Sequence, residues 1–200
     1  SYASANAAIN RINKILDLKT ENNGSKELDK SLNRVDISIK NLSFSYNENK
    51  QILKDISFDI KAGEKIAIIG SSGSGKTTIA NLISGFYAKD SGNIFFNNIS
   101  IDELNKQSLR ENIFLVLQMP ILFNNTLRFN ITMGNENIND EEIFKALRIA
   151  QLEDIVKNMN EGLDTIVGKH GIRLSGGQRQ RLSIARMIIA NRAVVIFDES

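Results

Sequence analysis

The stretch IAIIGSSGSGKT, residues 66–77, decides the fold. Its first four residues are continuously apolar, as in a strand that is covered on both faces of a sheet. Residues 70–77 then fit the pattern G-x-x-x-x-G-K-[ST], and residues 78–87 read as a helix. Glycines let such a loop curl so that several backbone N–H groups point at one anion, and the helix adds its positive end. The order of strand, loop and helix predicts an α/β core with a phosphate-binding loop.

The residues of this loop have separate expected parts in binding a nucleoside triphosphate. The backbone would surround the phosphates through Gly70, Ser71, Ser72, Gly73, Ser74 and Gly75. Lys76 would reach the β- and γ-phosphates, and the hydroxyl of Thr77 would ligate Mg²⁺. Thr78, the next residue, is included in the same nucleotide-binding set. The loop alone indicates only that a nucleoside triphosphate binds.

Length and composition suit one soluble globular domain. The 200 residues are 42% hydrophobic and 24% charged, with a formal net charge of +2. A charge so near neutral gives no reason to expect a nucleic-acid partner. The sequence has no cysteine, which excludes disulfides and thiolate metal sites. It has no apolar run long enough to cross a bilayer and no signal peptide. We expect both ends to be cut from a longer protein.

The first part of the chain changes its period. Residues 4–18 place Ala8, Ile9, Ile12, Ile15 and Leu16 at helical spacing, which predicts an amphipathic helix whose apolar stripe needs a partner. Residues 19–34 are polar and predict a linker. Beyond them apolar and polar residues alternate, which predicts half-buried antiparallel strands around Val35, Ile37, Ile39, Ile56, Phe58 and Ile60. A further hairpin is expected around 91–98.

The second part of the chain is dominated by helical patterns. Residues 139–158 predict a helix that begins with a capping box of Asn139 and Glu142. Its apolar face would comprise Ile143, Ala146, Leu147 and Ala150. A second helix is expected over about 177–190, and residues 194–197 predict a fully buried strand. The whole pattern is α/β, with a helical insert between about residues 119 and 175.

Two acidic residues, Asp198 and Glu199, follow the last apolar strand. The end of a strand beside a phosphate loop is where a carboxylate can hold Mg²⁺, and we assign that part to Asp198. Glu199 could polarise an attacking water as a general base. In a chain without a phosphate loop, two such residues would more simply end a strand at the surface.

A second glycine-bearing loop precedes the helix predicted at 177–190. Leu174 is followed by Ser175, Gly176, Gly177 and Gln178, and then by a run that ends at Arg186. A serine hydroxyl and small residues at a helix N-terminus form a second anion cradle. One nucleotide does not need two such cradles in one chain, so we expect this loop to cap the nucleotide of another subunit.

These motifs together resemble those of ABC transporter nucleotide-binding domains over about residues 35–200. Residues 174–181 match the signature LSGGQRQR, and the phosphate loop, signature and acidic strand stand in the family's order. The resemblance implies a P-loop NTPase (RecA-like) core with an antiparallel β subdomain and an inserted helical signature subdomain. It implies ATP and Mg²⁺ as cofactors, a catalytic set of Glu199, Lys76 and Gln118, and metal ligation by Thr77, Gln118 and Asp198.

Further residues take their expected roles from the same resemblance. Tyr46 resembles the aromatic residue that stacks on adenine, and Gln118 resembles the glutamine that links the motor to the membrane domain. Residues 165–171 look like the x-loop of exporters. His170 does not stand where the family's switch histidine stands; that residue and the D-loop are expected beyond Ser200.

The subtype rests on residues 120–131 and on 162–165, which are similar to exporters rather than importers. The resemblance implies ATP-driven export or flipping by two such domains, expected to be identical and arranged head to tail. It places the domain on the cytoplasmic side of the cell inner membrane, fused to a transmembrane domain. Residues 1–18 would be the cytoplasmic end of the last transmembrane helix, 19–34 a linker and 35–200 the nucleotide-binding domain.

Two other readings compete with this one. A soluble ABC-class ATPase that acts on nucleic acid or ribosomes shares the motifs, but it does not account for the amphipathic first helix, Tyr46 or the segment 120–131. A GTPase would need an Asn-Lys-x-Asp run that reads guanine, and the sequence has none. It would also leave the signature unexplained.

Overall fold

The computed structural model describes residues 2–17, 21, 23–29, 34–47, 50–118, 120–169 and 171–198. Its strands are β1 (Ile37–Asn47), β2 (Lys50–Ile60), β3 (Ser91–Phe96), β4 (Ile99–Ser100), β5 (Ile113–Val116), β6 (Asn125–Thr126), β7 (Ile166–Val167) and β8 (Val194–Phe197). Its α-helices are α1 (Tyr2–Leu16), α2 (Lys76–Ile83), α3 (Lys106–Asn112), α4 (Leu127–Thr132), α5 (Asp140–Ile149), α6 (Glu153–Lys157) and α7 (Gly176–Ala190).

An antiparallel sheet in the order β2-β1-β3-β4 forms one layer. The alternating residues predicted as strands pair across it, with Ile37 opposite Ile60 and Ile39 opposite Phe58. The predicted hairpin is also present between β3 and β4. Its two turn residues, Asn97 and Asn98, have φ of 47° and 66°, as the tight turns of hairpins require.

Helix α2 packs in the hydrophobic cluster of this sheet. Ile79, Leu82 and Ile83 of α2 are buried there with residues from β1, β2, β3 and α3. The sequence placed this helix at 78–87, but it begins at Lys76, directly on the phosphate loop, and ends at Ile83. The phosphate loop therefore lies at the end of a well-anchored helix.

A two-stranded parallel sheet, β5 beside β8, brings two distant parts of the chain together at its carboxyl edge. The strand predicted at 194–197 is confirmed, but its predicted full burial is wrong. Val195 is 39% and Phe197 55% exposed, whereas Val194 and Ile196 pack against the first cluster. Successive side chains of a strand point to opposite faces, and only one face of β8 is covered by the described residues.

The strand predicted over residues 66–69 is not formed among the described residues. Ile69 is 91% exposed, and Ile66 and Ile68 are each 42% exposed. A strand needs lateral partners for its backbone N–H and C=O groups. Here β5 and β8 pair with each other, and a groove of about 710 Å³ lies between residues 64–68 and β8. Both the predicted strand over 66–69 and its predicted burial are therefore wrong, because an apolar run does not specify a lateral partner.

The helical insert has its own hydrophobic cluster, to which α4, α5, α6 and α7 contribute. The capping box of Asn139 and Glu142 is confirmed, and so is the buried face of α5. The single helix predicted over 139–158 is wrong, because it divides into α5 and α6. Gln151 has a φ of 57°, and the amide of Leu152 donates to the carbonyl of Leu147. This left-handed stop turns the chain so that Leu152 and Val156 join the cluster.

Helix α1 is confirmed, and its apolar stripe is exposed: Ile9, Ile12, Ile15 and Leu16 are between 53% and 74% accessible. Among the described helices, none is long and apolar enough to cross a bilayer. Part of the predicted linker is packed on the domain. The amide of Lys26 donates to the carbonyl of Glu103 over 3.0 Å, and Leu28 is 3% exposed. The predicted boundaries between helix, linker and domain stay predictions.

Candidate functional site

The phosphate loop has the curled backbone that its glycines predict. Gly73 and Gly75 have φ of 78° and 95°, a region that favours glycine. A Cβ at Gly75 would lie 2.7 Å from Cδ2 of Leu53, so this position also requires a close approach to β2. Inside the loop the amide of Ser74 donates to the carbonyl of Ser71 over 3.2 Å. Residues 70–74 are exposed, which leaves the loop open to a ligand.

The first turn of α2 begins without a side-chain cap. Its N-cap residue is Gly75, whose lack of a side chain leaves the first amides of the helix to another acceptor. Nζ of Lys76 donates to the carbonyls of Gly70 and Ser71 over 3.0 and 2.9 Å. Uncapped amides and an ammonium group at one helix start are the groups that bind a phosphate.

Thr77 and Asp198 meet although 121 residues separate them. Oγ1 of Thr77 donates to Oδ1 of Asp198 over 2.8 Å. Asp198 follows β8, and its amide donates to the carbonyl of Val116 at the end of β5 over 3.0 Å. The carboxyl ends of the parallel strands thus bring an acidic group against the phosphate loop, as the sequence predicted.

Of the two remaining catalytic candidates, Gln118 and Glu199, the structure describes only Gln118. Gln118 is exposed two residues after β5, so the strand register carries it to the edge where Asp198 lies. Glu199 lies outside the described residues, as does His170. The parts assigned to Gln118 and Glu199 stay predictions.

Tyr46 stands at the end of β1 beside α2. Its hydroxyl lies 3.1 Å from Oγ1 of Thr78, one residue beyond Thr77. The ring makes edge-to-face contacts with Phe44 and Tyr87 and is 46% exposed. The structure therefore brings the aromatic residue predicted for the base next to the residues predicted for the phosphates.

The second glycine-bearing loop is built differently. Ser175 is the N-cap of α7: its Oγ accepts from the amide of Gln178, and Oε1 of Gln178 accepts from the amide of Ser175. The two side chains therefore cap the helix reciprocally. Ser175, Gly176 and Gly177 are exposed, and a Cβ at either glycine would meet nothing within 4 Å. This loop has open space around it.

The two loops belong to helices in different hydrophobic clusters. Helix α2 packs in the cluster of the antiparallel sheet, and α7 packs in the cluster of the helical insert. Oγ1 of Thr77 bonds Asp198, and the hydroxyl of Tyr46 bonds the neighbouring Thr78. In the second loop the side chains of Ser175 and Gln178 each accept from the other residue's backbone amide. Tyr46, residues 77–78 and Asp198 thus form one hydrogen-bonded group, and residues 175–178 form a separate one.

Arg186 is a buried residue of α7 whose part the sequence reasoning missed. It is 8% exposed and donates to the carbonyl of Ile121 over 2.7 Å and to Oδ1 of Asn130 over 2.8 Å. It also bonds the carbonyl of Asn130. Burial lowers the pKa of Arg186, but an arginine stays charged in proteins. The signal was available, because Arg186 follows the apolar Leu182 by four residues and so shares its face.

Among the described residues predicted to ligate a metal, Thr77 and Asp198 bring their side-chain oxygens together. Within the described residues there is no group of three or more His, Cys, Asp or Glu side chains that could hold an ion. A hydroxyl and one carboxylate, with Oγ1 and Oδ1 2.8 Å apart, are hard oxygen donors of the kind Mg²⁺ prefers. They fit an ion that completes its shell with phosphate oxygens and water.

Comparison with known protein families gives one consistent result. Residues 53–200 match the family model described as ABC transporter. The ATP-dependent lipid A-core flippase of Francisella tularensis subsp. holarctica is 42% identical over 196 residues, which are 97% of this chain and 32% of that protein. The iron–sulfur clusters transporter ATM1 of Saccharomyces cerevisiae mitochondria is 44% identical over 165 residues, or 82% of this chain and 24% of the relative.

A solved structure gives the same result at the level of the fold. The structure described as a bacterial Atm1-family ABC exporter with ATP bound superposes with a TM-score of 0.86 at 33% sequence identity. The match covers 96% of this chain and 34% of that one. The chain thus spans about a quarter to a third of the proteins it resembles.

Proposed function

This chain belongs to the ABC transporter family, and from that premise we propose that it is the motor domain of an exporter. ATP binding and hydrolysis in this domain would drive the export or flipping of a substrate across a membrane. The observation that carries the proposal is the hydrogen bond from Thr77 to Asp198, which joins the phosphate loop to the acidic end of β8. The exporter relatives favour this function over that of a soluble ABC-class ATPase.

The nucleotide would bind at the start of α2. The first amides of that helix have no side-chain cap, and Lys76 holds its ammonium against the same loop. Both features stabilise an anion, because the N-terminus of a helix carries partial positive charge. Tyr46, half-exposed and bonded to Thr78, would contact the base. Phosphates and base would thus be bound from two sides of one helix start.

Mg²⁺ would be held by Thr77 and Asp198, with Gln118 at the same edge of the parallel sheet. When bound, the ion neutralises charge on the β- and γ-phosphates. Lys76 would stabilise the charge that develops on the γ-phosphate during transfer. Glu199 would accept a proton from the attacking water, which its place directly after Asp198 allows.

The partner would be a second, identical domain in a head-to-tail arrangement. Ser175 and the two glycines after it are exposed in open space on a helix of the second cluster. An exposed helix start of this kind is suited to cap the γ-phosphate of a nucleotide held by another chain. ATP would then join the two domains, and hydrolysis would release them.

The kind of proteins that the chain resembles supports an attachment to a membrane domain. Relatives three to four times longer include a lipid A-core flippase and an iron–sulfur clusters transporter. We therefore place this domain at the cytoplasmic side of a cell inner membrane, joined through residues 1–34 to a transmembrane domain that selects the cargo. The relatives' differing cargoes assign none to this chain.

The metal part of the proposal is tested by Asp198→Asn. Isothermal titration of the 200-residue chain with ATP, with and without Mg²⁺, gives the gain in affinity that the ion provides. We expect Asp198→Asn to lose at least about tenfold of that gain, because the carboxylate ligand becomes a neutral amide. Asp154→Asn, at an exposed acidic residue of α6, is the matched control. An unchanged gain in Asp198→Asn would remove this carboxylate from the metal site.

The catalytic part is tested in a full-length protein that carries this domain. Glu199→Gln keeps the size of the side chain but cannot accept the proton. We expect ATP binding to persist, ATP turnover to fall by at least about a hundredfold, and a closed dimer to accumulate. Normal turnover would show that Glu199 is not the general base.

A further inference from the structure

Three aromatic rings form a cluster beside the phosphate loop. Phe44 is buried on β1 at 4% exposure, and the rings of Tyr46 and Tyr87 lie against it with centroids 4.9 and 5.7 Å away. Tyr46 and Tyr87 also contact each other, at 5.3 Å and an interplanar angle of 86°. Tyr87 belongs to the loop after α2, so the cluster connects this loop to the end of β1.

Tyr46 is held at three points although its ring is 46% exposed. Its hydroxyl lies 3.1 Å from Oγ1 of Thr78, which is itself 4% exposed, and its ring contacts Phe44 and Tyr87. An exposed tyrosine would otherwise sample several rotamers. Because rotamer freedom lost before binding is not lost again on binding, a fixed ring binds a flat ligand more tightly than a mobile one.

Tyr87 is itself fixed relative to β1. The amide of Asp90, three residues later, donates to the carbonyl of Ser43 on β1 over 3.1 Å. Gly85, two residues earlier, has a φ of 72° and lies against Leu109 of α3. The loop of Tyr87 is therefore anchored at both sides, and Tyr87 can serve as a support for the ring of Tyr46.

We propose that Tyr87 is a positioning residue for recognition of the nucleotide base. It acts through Tyr46, whose ring it holds at the angle that a base meets. The proposal rests on the proposed function, because it assumes that Tyr46 contacts the base. It adds Tyr87, to which no part in binding was predicted from the sequence. An edge-to-face aromatic pair contributes about 0.5–1.5 kcal/mol. The support of Tyr87 should therefore change the affinity for ATP by about two- to tenfold.

The test compares ATP with inorganic tripolyphosphate, which has phosphates but no base. Affinities of the 200-residue chain for both are measured by isothermal titration, and their ratio gives the contribution of the base. Tyr87→Leu removes the ring but keeps an apolar side chain, and Tyr87→Phe keeps the ring. Phe86→Leu is the matched control, because Phe86 is the neighbouring exposed ring and has no aromatic partner among the described residues.

We expect Tyr87→Leu to lower the ratio by about two- to tenfold through weaker ATP binding, with tripolyphosphate affinity unchanged. Tyr87→Phe and Phe86→Leu should keep the wild-type ratio. In the background of Tyr46→Ala, adding Tyr87→Leu should have no further effect, because residues that act through one another are not additive.

Three results would overturn the proposal. Equal losses for ATP and tripolyphosphate in Tyr87→Leu would mean that Tyr87 only stabilises the loop. A wild-type ratio in Tyr87→Leu would mean that Tyr46 needs no support, and an additive loss on top of Tyr46→Ala would mean that Tyr87 acts independently. A wild-type chain that binds neither ligand would instead refute the proposed function, and this inference with it.

Discussion

Helices α2 and α7 both follow glycine-bearing loops, yet the backbone amides of their first turns differ in whether a side chain caps them. At α2 the N-cap is a left-handed glycine without a side-chain cap, and Lys76 bonds the loop that precedes it. At α7 the side chains of Ser175 and Gln178 each accept from the other residue's backbone amide. A Cβ added at Gly176 or Gly177 would meet nothing within 4 Å. The start of α2 thus leaves its donors to a ligand bound in this chain.

The start of α7 is complete by itself in the isolated chain. Its capping box occupies the Ser175 side chain, and its exposed glycines leave room for close approach by another molecule. Two glycine-bearing loops of similar sequence can thus differ in whether the helix amides beside them are already capped. The first loop leaves its helix amides without a side-chain cap, whereas Ser175 and Gln178 satisfy amides of the second within this chain.

The largest effect on stability is expected at Arg186, in the C-terminal half of α7. Arg186→Met replaces the aliphatic part of the side chain but leaves the carbonyls of Ile121 and Asn130 without their buried donor. We expect the free energy of unfolding to fall by about 3 kcal/mol in urea denaturation. Arg181→Met, which removes one exposed bond to the carbonyl of Gln151, should cost less than about 1 kcal/mol. Equal costs would show that α7 is not anchored through Arg186.

A pair of glycine substitutions tests the comparison directly. Gly75→Ala should destabilise the chain by about 1–3 kcal/mol, because φ is 95° and the new methyl group would lie 2.7 Å from Leu53. Gly177→Ala meets nothing within 4 Å and should change stability by less than about 1 kcal/mol. Thermal or urea unfolding of both variants gives the values. Similar losses at both positions would erase the difference between the two loops.

The cap of α7 has a smaller expected contribution. Ser175→Ala removes the acceptor of the Gln178 amide and should cost about 1 kcal/mol of unfolding free energy. Ser175→Asn supplies another N-cap side chain and should recover most of that loss. If the alanine variant were as stable as the wild type, the reciprocal cap would not hold the loop, and the loop would not be complete by itself.

The smallest effect concerns an ion pair between α5 and α6. Hydrogen bonds from Arg148 and then Lys157 lower the pKa of Glu153 from its ordinary 4.5 to about 2. Because the folded pKa is depressed, the stabilisation is present above the unfolded pKa and is lost as pH falls from about 4.5 toward 2. Glu153→Gln should therefore lose less stability than the wild type between pH 7 and pH 3.

The control for this pH effect is Glu141→Gln, at an exposed residue of α5 that has no ion pair in the described part of the chain. It should lose the same amount as the wild type over the same range. Urea midpoints at the two pH values give the comparison. A Glu153→Gln profile that matches the wild type would show that the ion pair contributes nothing to folding.

Much of the site could be predicted because its signals are local. The glycines of residues 70–77 predict a curled loop, and the serine before α7 predicts a helix start, without reference to distant residues. The meeting of Thr77 and Asp198 was predicted from an acidic pair that follows an apolar strand in a chain with a phosphate loop. The alternating strands around Ile37 and Ile60 were likewise visible from their period.

What could not be predicted depends on partners far away in the sequence. The apolar segment 66–69 predicted a strand, but an apolar run does not specify a lateral neighbour. The stop at Gln151 was missed because a left-handed glutamine has no signal comparable to that of glycine. The contact of Tyr46 with Tyr87 joins residues from two elements, and no pattern in the sequence indicates that the two rings meet.

One measurement tests the difference between the two loops most directly: the titration of monomeric chain with Mg²⁺ and ATP in paired variants. We expect one ATP per wild-type chain, a loss of about ten- to a hundredfold in affinity in Lys76→Ala, and no change in Ser175→Ala. Lys145→Ala, on the exposed side of α5, should also bind as the wild type does. Binding that survives in Lys76→Ala, or that is lost in Ser175→Ala, would show that the two loops do not differ in this way.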